Sequence, residues 1–248
     1  MPDSLAGIVL AAGGGTRLAP LTRLRPKALC PVGDVALVDR AIDRLGTVAP
    51  DIALNVHHGR EQLEDHLSGR AHVSAEDVLL GTAGGLGNLR TWIDGRDAVV
   101  VNADLVTDAA LGEAVASWDR ARVRLLAAGS ATFDPAMRLC GALMPWSAVE
   151  VLEAVPSGLY RSSWQPAALA GRLEVVDLGA VAWFDCGTPA SYLAANLWVS
   201  GGRSVIGAGA TVEGVAERSV LWPGTTVAPG ERLVAAIRAS DRVTVLVR

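Results

Sequence analysis

Lysine is all but missing from this 248-residue chain: of its 22 lysines and arginines, only Lys27 is a lysine. A net charge of −4 argues against a nucleic-acid partner, whose usual footprint on a protein is a basic stripe. Long apolar runs are also missing. Half of the residues are hydrophobic, yet no uninterrupted run reaches membrane-spanning length, so no membrane partner is expected. The N-terminus lacks a basic region followed by a signal-like apolar stretch, and Met1-Pro2-Asp3-Ser4 leads straight towards the first strand. These absences point to a soluble, cytoplasmic protein. Cysteine is scarce as well. Cys30, Cys140 and Cys186 are odd in number and have no metal-ligand spacing, so buried, reduced thiols are expected.

What is present is concentrated between Gly7 and Pro31, GIVLAAGGGTRLAPLTRLRPKALCP. Ile8-Val9-Leu10 is a short apolar run, as in a buried strand of a parallel sheet. It enters Ala11-Ala12-Gly13-Gly14-Gly15-Thr16-Arg17, whose small residues let the backbone turn sharply and bring N–H groups close to an anion. Arg17 and Lys27 flank the excursion and would add charge-assisted bonds to phosphate, while Pro20 and Pro26 stiffen it. Two standard phosphate loops are excluded. The dinucleotide fingerprint needs a glycine where this chain has Leu18, and the Gly-Lys-Ser/Thr of the P-loop is absent.

LAAGGGTRLAPLT…RPKAL closely resembles the signature of the sugar-1-phosphate nucleotidyltransferases, and further matches cover nearly the whole chain. The resemblance is closest in style to mannose-1-phosphate guanylyltransferase-like members with a C-terminal hexapeptide tail. It implies that Leu10 through Arg17 bind nucleotide. It also implies that Gly81-Thr82-Ala83-Gly84-Gly85 faces the base and ribose, with Glu76 as the acidic residue preceding it. Asn102-Ala103-Asp104 matches the metal-binding segment. Trp183-Phe184-Asp185-Cys186-Gly187-Thr188-Pro189 matches a second signature whose Asp is the other metal ligand. Mg²⁺ on Asp104 and Asp185 is the implied cofactor, and NTP and a sugar 1-phosphate are the implied substrates. The match weakens from Gly129 to Pro145. A Glu-Lys-Pro whose lysine touches the sugar phosphate is replaced by Phe133-Asp134-Pro135, leaving Arg138 and Gly141 as candidate substrate contacts. An arginine fork differs from an ammonium in shape and hydration.

The pattern along the chain supports an α/β fold. From the motif to about residue 128, strand and helix alternate, which implies a parallel sheet covered on both faces with ligands at the carboxyl ends of strands. Strands are expected at 51–56, 71–73, 98–101, 122–127, 173–176 and 180–184. Helices are expected at 35–45, 59–67, 83–92, 109–118, 146–152, 162–169 and 190–198. Asp108 is expected to cap the helix at Ala109. The pair His57-His58 ends a strand; its side chains would point to opposite faces, so structural placement is expected rather than a shared metal. After Gly201-Gly202, aliphatic residues recur every sixth position, at Ile206 and Val212, then Val215, Leu221, Val227 and Leu233. Six-residue repeats mark a parallel β-helix. The expected organisation is a nucleotidyltransferase domain at 1–200, with a Rossmann-like parallel or mixed sheet. A short left-handed parallel β-helix follows at 203–248. Two coils cannot stand alone, so the tail must dock on the main domain or on another subunit, which leaves a homo-oligomer open.

The leading expectation is an enzyme converting NTP and a sugar 1-phosphate into an NDP-sugar and pyrophosphate, with Arg17, Lys27, Asp104 and Asp185 catalytic. A non-catalytic sugar-nucleotide sensor or regulatory subunit is the rival, supported by the missing Glu-Lys-Pro. A third reading keeps the chemistry and changes the acceptor to a non-sugar phosphate or a phosphonate.

Overall fold

The computed structural model describes residues 4–247; the expectation for Met1-Pro2-Asp3 lies outside them. The chain divides into two compact units that do not follow chain order. The first holds the residues through Gly13 together with Arg40–Trp183, and the second holds Gly14–Asp39 together with Phe184–Arg248.

The first unit is built on a seven-stranded sheet. Its strands are β1 (Ala6–Leu10), β2 (Asp51–Val56), β3 (His72–Ala75), β4 (Ala98–Asn102), β5 (Val123–Ala127), β6 (Leu139–Met144) and β7 (Leu173–Asp177). They lie in the order β7-β5-β6-β4-β1-β2-β3. All are parallel except β6, which runs antiparallel to both β4 and β5. The sheet is therefore mixed. A parallel return needs a crossover of a dozen or more residues, usually helical. The segment between Ala127 and Leu139 contains no helix, so the chain turns back beside the strand it has just left.

Ala6, Ile8, Ala53, Ala98, Val100 and Leu125 alternate onto one face, where they meet Leu86, Leu89 and Ile93 of a helix. Val9, Val99 and Val101 on the other face are buried too, which explains why these strands read as continuous apolar runs. The helices entering or lying in this unit are α1 (Leu37–Gly46), α2 (Arg60–Leu67), α3 (Gly81–Ile93), α4 (Gly112–Ala116), α5 (Trp146–Val149) and α6 (Gln165–Leu169). Helix α6 is preceded by a π-helical turn, Tyr160–Trp164. The expected helix at 109–118 is shortened to α4, and Asp108 does not cap it. Its Oδ1 accepts the N–H of Ala182 at 2.8 Å, and Ala109 donates to Thr107 Oγ1 instead. The expected strand at 180–184 shrinks to Trp183–Asp185.

The second unit joins the excursion after Gly13 to the C-terminal part of the chain. It contains three 3₁₀ turns, Thr16–Leu18, Leu21–Arg23 and Lys27–Leu29, then an antiparallel pair of short strands, Pro31–Val32 with Val35–Ala36. Helix α7 (Pro189–Val199) starts with a capping box in which Thr188 and Ser191 satisfy each other's backbone, with Pro189 at the first helical position. Beyond it, Gly201 and Gly202 both have positive φ.

The C-terminal strands pair in parallel on three sides. Val205–Ile206 pairs with Val220–Leu221, Thr211–Val212 with Thr226–Val227, and Val215–Glu217 with Arg232–Val234. Val220–Leu221 pairs onward with Ala236–Ser240, and an antiparallel strand, Val243–Leu246, closes the end. Leu221, Val227, Leu233 and Ala236 form the small core. Ile206, Val212 and Val215 of the same six-residue series are exposed, because their strands form the open edge of the stack. Among the described residues no helix is long and apolar enough to cross a membrane.

Candidate active site

In the first unit the register of three parallel strands assembles one edge. Leu10 pairs with Asn55 on one side and Asn102 on the other. The N–H of Ala103 continues the ladder onto Leu10 O at 3.0 Å, which leaves half-buried Asp104 beside the start of the glycine-rich loop.

The loop is held from beneath by a buried polar chain. The Ala11 N–H donates to Asn55 Oδ1 (2.9 Å), Asn55 Nδ2 donates to Glu76 Oε1 (2.7 Å), and Glu76 Oε2 accepts the Leu80 N–H (2.9 Å). Asn55 and Glu76 are 2% and 5% exposed. A Cβ on Gly85 would stand 2.5 Å from Asn55 Nδ2, so α3 approaches this chain closely only because residue 85 has no side chain. Gly81 and Gly84 are likewise packed, against the carbonyls of Ser157 and Val155. Thr82 is exposed, and its hydroxyl accepts the Leu159 N–H. His57 Nδ1 lies 2.9 Å from the Glu76 carbonyl at the end of β2.

Next to this edge lies a cavity of about 240 Å³. Leu10, Thr82, Asn102, Gly141, Tyr160 and Trp164 contribute to its wall. Tyr160 is stacked on Phe133 with ring centroids 5.2 Å apart. The two aromatic wall residues come from the π-helical turn, a local geometry that often marks functional sites. The wall is mostly aliphatic and aromatic, and Thr82, Asn102, Tyr160 and Trp164, whose indole N–H is buried without a hydrogen bond, are the wall residues able to pair with a hydroxyl. Arg138 is not part of it. Its guanidinium lies over Gly129, where a Cβ would be 2.7 Å from Nη2.

In the second unit the charged residues of the motif converge. Arg17 Nη2 is 3.6 Å from Asp185 Oδ2, and Lys27 Nζ is 3.8 Å from Asp185 Oδ1. Lys27 is mostly buried (12% exposed), whereas Arg17 stands in solvent. Asp185 Oδ1 is shielded from solvent and accepts no hydrogen bond. A Cβ at Gly187 would sit 2.7 Å from Arg17 Nη2, so glycine there lets the guanidinium lie over the Asp185 turn. Gly15 is left-handed (φ 60°), and a Cβ on it would meet Thr22 and Lys27 at 2.8 and 3.0 Å. The Thr22 hydroxyl donates to Gly15 O at 3.0 Å. Gly13 and Gly14 are exposed, with open space where a side chain would be. An exposed ion pair such as Arg17–Asp185 contributes at most about 1 kcal/mol, so stability is a poor reason for holding Arg17 there.

The cysteines are free and buried. Burial pushes the Cys30 thiol up to about 12 against the pull of Arg25 and Lys27, and burial also raises Cys140. Neither is suited to act as a nucleophile.

Sequence reasoning missed Asn55, whose only signal is an amide near the end of the otherwise apolar ALNV run. It also missed the aromatic pair Tyr160 and Trp164.

A family model described as nucleotidyl transferase matches residues 6–136. An N-acetylmuramate alpha-1-phosphate uridylyltransferase of Caulobacter vibrioides is 36% identical over 130 residues, 47% of this chain and 54% of that protein. A bifunctional protein GlmU of Listeria innocua is 34% identical over 95 residues, 38% of this chain and 20% of that protein. The chain thus spans only about half, or a fifth, of the length of these relatives. Among solved structures, the inositol-1-phosphate CTP transferase of T. maritima superposes with a TM-score of 0.63. It shares 20% identity, and the match covers 77% of this chain and 93% of that one. At that identity the likeness concerns the fold.

Proposed function

The chain belongs to the nucleotidyl transferase family, and from that premise we propose that it joins an NTP to a sugar 1-phosphate, giving an NDP-sugar and pyrophosphate. The observation that carries this reading is the meeting of Arg17 and Lys27 at Asp185, beside a loop with exposed glycines. Two cations and a loop with exposed small residues suit a triphosphate.

In this reading a phosphate oxygen of the sugar 1-phosphate attacks the α-phosphorus and pyrophosphate leaves in line, so no side-chain nucleophile is needed. Catalysis then rests on positioning and charge stabilisation. The loop from Leu10 to Thr16 would cradle the triphosphate, Arg17 would grip it, and Lys27 would meet the charge that develops during transfer. Asn55 and Glu76 hold the start of the loop from below. Both Glu76 oxygens are engaged within the protein, so its part in nucleotide binding would be indirect. Gly81 and Thr82 stay assigned to the nucleotide, and Asn102, at the end of β4, is assigned to it as well.

Asp104 and Asp185 would hold Mg²⁺. This ion favours carboxylates completed by phosphate oxygens, and Asp185 Oδ1, buried without a hydrogen bond, supports that residue's part in such a set. Bound there, the ion would neutralise phosphate charge and align the reacting groups. The C-terminal strands are read as a short left-handed parallel β-helix, supported by their three-sided parallel pairing. A reaction that consumes NTP places the protein in the cytoplasm.

The cavity beside Asn102 and Gly141 is assigned to the acceptor. A buried hydroxyl left unpaired costs about 1–3 kcal/mol, and the part of the wall made by Val100, Val101, Leu139, Ala142 and Leu159 offers it no side-chain partner. An acceptor with an apolar or acylated substituent suits it better than a bare hexose. Uridylyltransfer to an N-acetylated sugar, the reaction named for the Caulobacter relative, is the first to try. The test is to incubate the protein and Mg²⁺ with each NTP and a panel of acylated and plain sugar 1-phosphates, measuring pyrophosphate and NDP-sugar. Product with an acylated sugar is expected. Nucleotide binding without product from any acceptor would instead favour the non-catalytic reading.

A further inference from the structure

The second unit links its C-terminal strands to the lysine of the motif by two routes that meet at one side chain. Trp222, 1% exposed, lies just after the strand Val220–Leu221. The guanidinium of Arg25 stacks over its ring at 4.4 Å from the centroid. Its indole N–H donates to the Tyr192 hydroxyl at 2.9 Å, and that hydroxyl donates in turn to the carbonyl of Pro31. Arg25 and Pro31 bracket Lys27, two residues before it and four after. Between them the chain is a single tight turn, in which Leu29 N–H donates to Pro26 O at 2.9 Å and Cys30 N–H to Lys27 O at 3.0 Å. One end of the segment bearing Lys27 is thus held by the indole directly, and the other through the Tyr192 hydroxyl that the indole N–H bonds. Tyr192 also lies on α7, whose N-terminal cap follows Asp185 by three residues. The same contact therefore supports the carboxylate that Lys27 faces.

We propose that Trp222 is a positioning residue for Lys27, so that the C-terminal strands set the lysine's place at the site instead of serving only as a solubilising appendage. A cation–π contact and a neutral hydrogen bond each shift an equilibrium by only a few-fold. Such energies are small beside the stability of a domain. They are large enough to decide whether a short turn with one mostly buried lysine stays in a single arrangement. The inference rests on the reading of Lys27 as a catalytic group for its functional meaning, while its geometric content can be tested without turnover.

Lys27 is the only lysine, so an acetylating reagent has one side-chain amine to find, with the amino terminus as internal reference. The initial rate of Lys27 acetylation would be followed by digestion and mass spectrometry in wild type, Trp222→Phe, Arg25→Gln and Arg232→Met. Trp222→Phe keeps an aromatic ring and removes the N–H, and Arg25→Gln removes the stacked cation. Arg232→Met is the control, because it breaks the Arg232–Glu217 pair within the strand stack without touching Trp222. Lys27 should label about fivefold faster in the first two variants, the factor expected from losing one net contact of this size. The control should keep the wild-type rate. In a turnover assay the same two variants should lower kcat with the KM for the acceptor unchanged. Wild-type labelling in both variants would overturn the proposal. So would equal acceleration in the control, which would mean general loosening. The expected labelling pattern in a protein that turns over no acceptor would leave the positioning role standing and remove the proposed reaction.

Discussion

Glu76 and Asp185 are carboxylates that close a strand, one in each compact unit, and their surroundings are opposite. Glu76 is buried and both of its oxygens accept hydrogen bonds, from Asn55 and from the Leu80 N–H. Asp185 faces two cations at 3.6 and 3.8 Å, beyond hydrogen-bond length, and one of its oxygens accepts no hydrogen bond. The first arrangement is complete as it stands. The second is a set of charges that a phosphate and a cation would complete. The contrast separates a carboxylate whose hydrogen bonds are complete within the protein from one whose hydrogen bonds are not, and residue type alone could not have made that separation.

The largest effect expected from breaking the contrast is on turnover. Asp185→Asn keeps size and polarity and removes the charge, so activity should fall about 100-fold or more while the melting temperature stays near that of wild type. Asp104→Asn should do the same. If both act through one ion, the double variant should be little slower than either single one, as pyrophosphate-release kinetics on the three proteins would show. A double variant slower by the product of the single effects would contradict the shared site.

The opposite result is expected for the finished carboxylate. Glu76→Gln offers one acceptor oxygen where two donors arrive, and its amide N–H₂ would face a donor. It should lose about 1–3 kcal/mol of stability in urea unfolding, with near-normal turnover from the fraction that is folded. Unchanged stability would mean that the buried chain beneath the loop is dispensable.

A smaller effect sharpens the same point within the C-terminal strands. The Ala228 N–H and then the Arg238 guanidinium hold the Glu231 carboxyl below its ordinary value of 4.5. A group depressed in this way stabilises the fold above its unfolded pKa, and the contribution is lost as pH falls through the lower folded value. Glu231→Gln should therefore melt slightly below wild type at pH 7, and the two melting curves should converge as pH falls below 4.5 and through the lower folded value. A constant gap across that range would remove the carboxylate's role.

Much of the site was legible because glycine, proline and charge carry strong local meaning. The loop from Ala11 to Arg17, the strand end at Leu10 and the Pro189 helix start lie where the chain's pattern put them, and the strand expected at 98–101 runs one residue further, to Asn102. The reversed strand Leu139–Met144 was hidden, since its direction depends on how few residues precede it and not on its own composition. Asp108 misled because an aspartate ahead of an apolar run is the signal for a helix cap, and a distant backbone N–H claimed it instead. The glycines from 81 to 85 read as a surface for a base, yet Gly84 and Gly85 are used to pack α3 against its neighbours. Asn55 and Trp222 were illegible for a common reason. Their partners, Ala11 with Glu76 and Arg25 with Tyr192, are 21 to 197 residues away along the chain, and tertiary structure alone brings them together.

The most direct measurement is the turnover and urea stability of Lys27→Ala beside wild type, on the NTP and sugar 1-phosphate that give product. Lys27 carries the claim that the second unit's charges act on the substrate and not on the fold. Turnover should fall about 100-fold or more, far beyond any loss of folded protein seen in urea unfolding. Turnover within twofold of wild type, or a loss of activity matched by an equal loss of folded protein, would contradict the account.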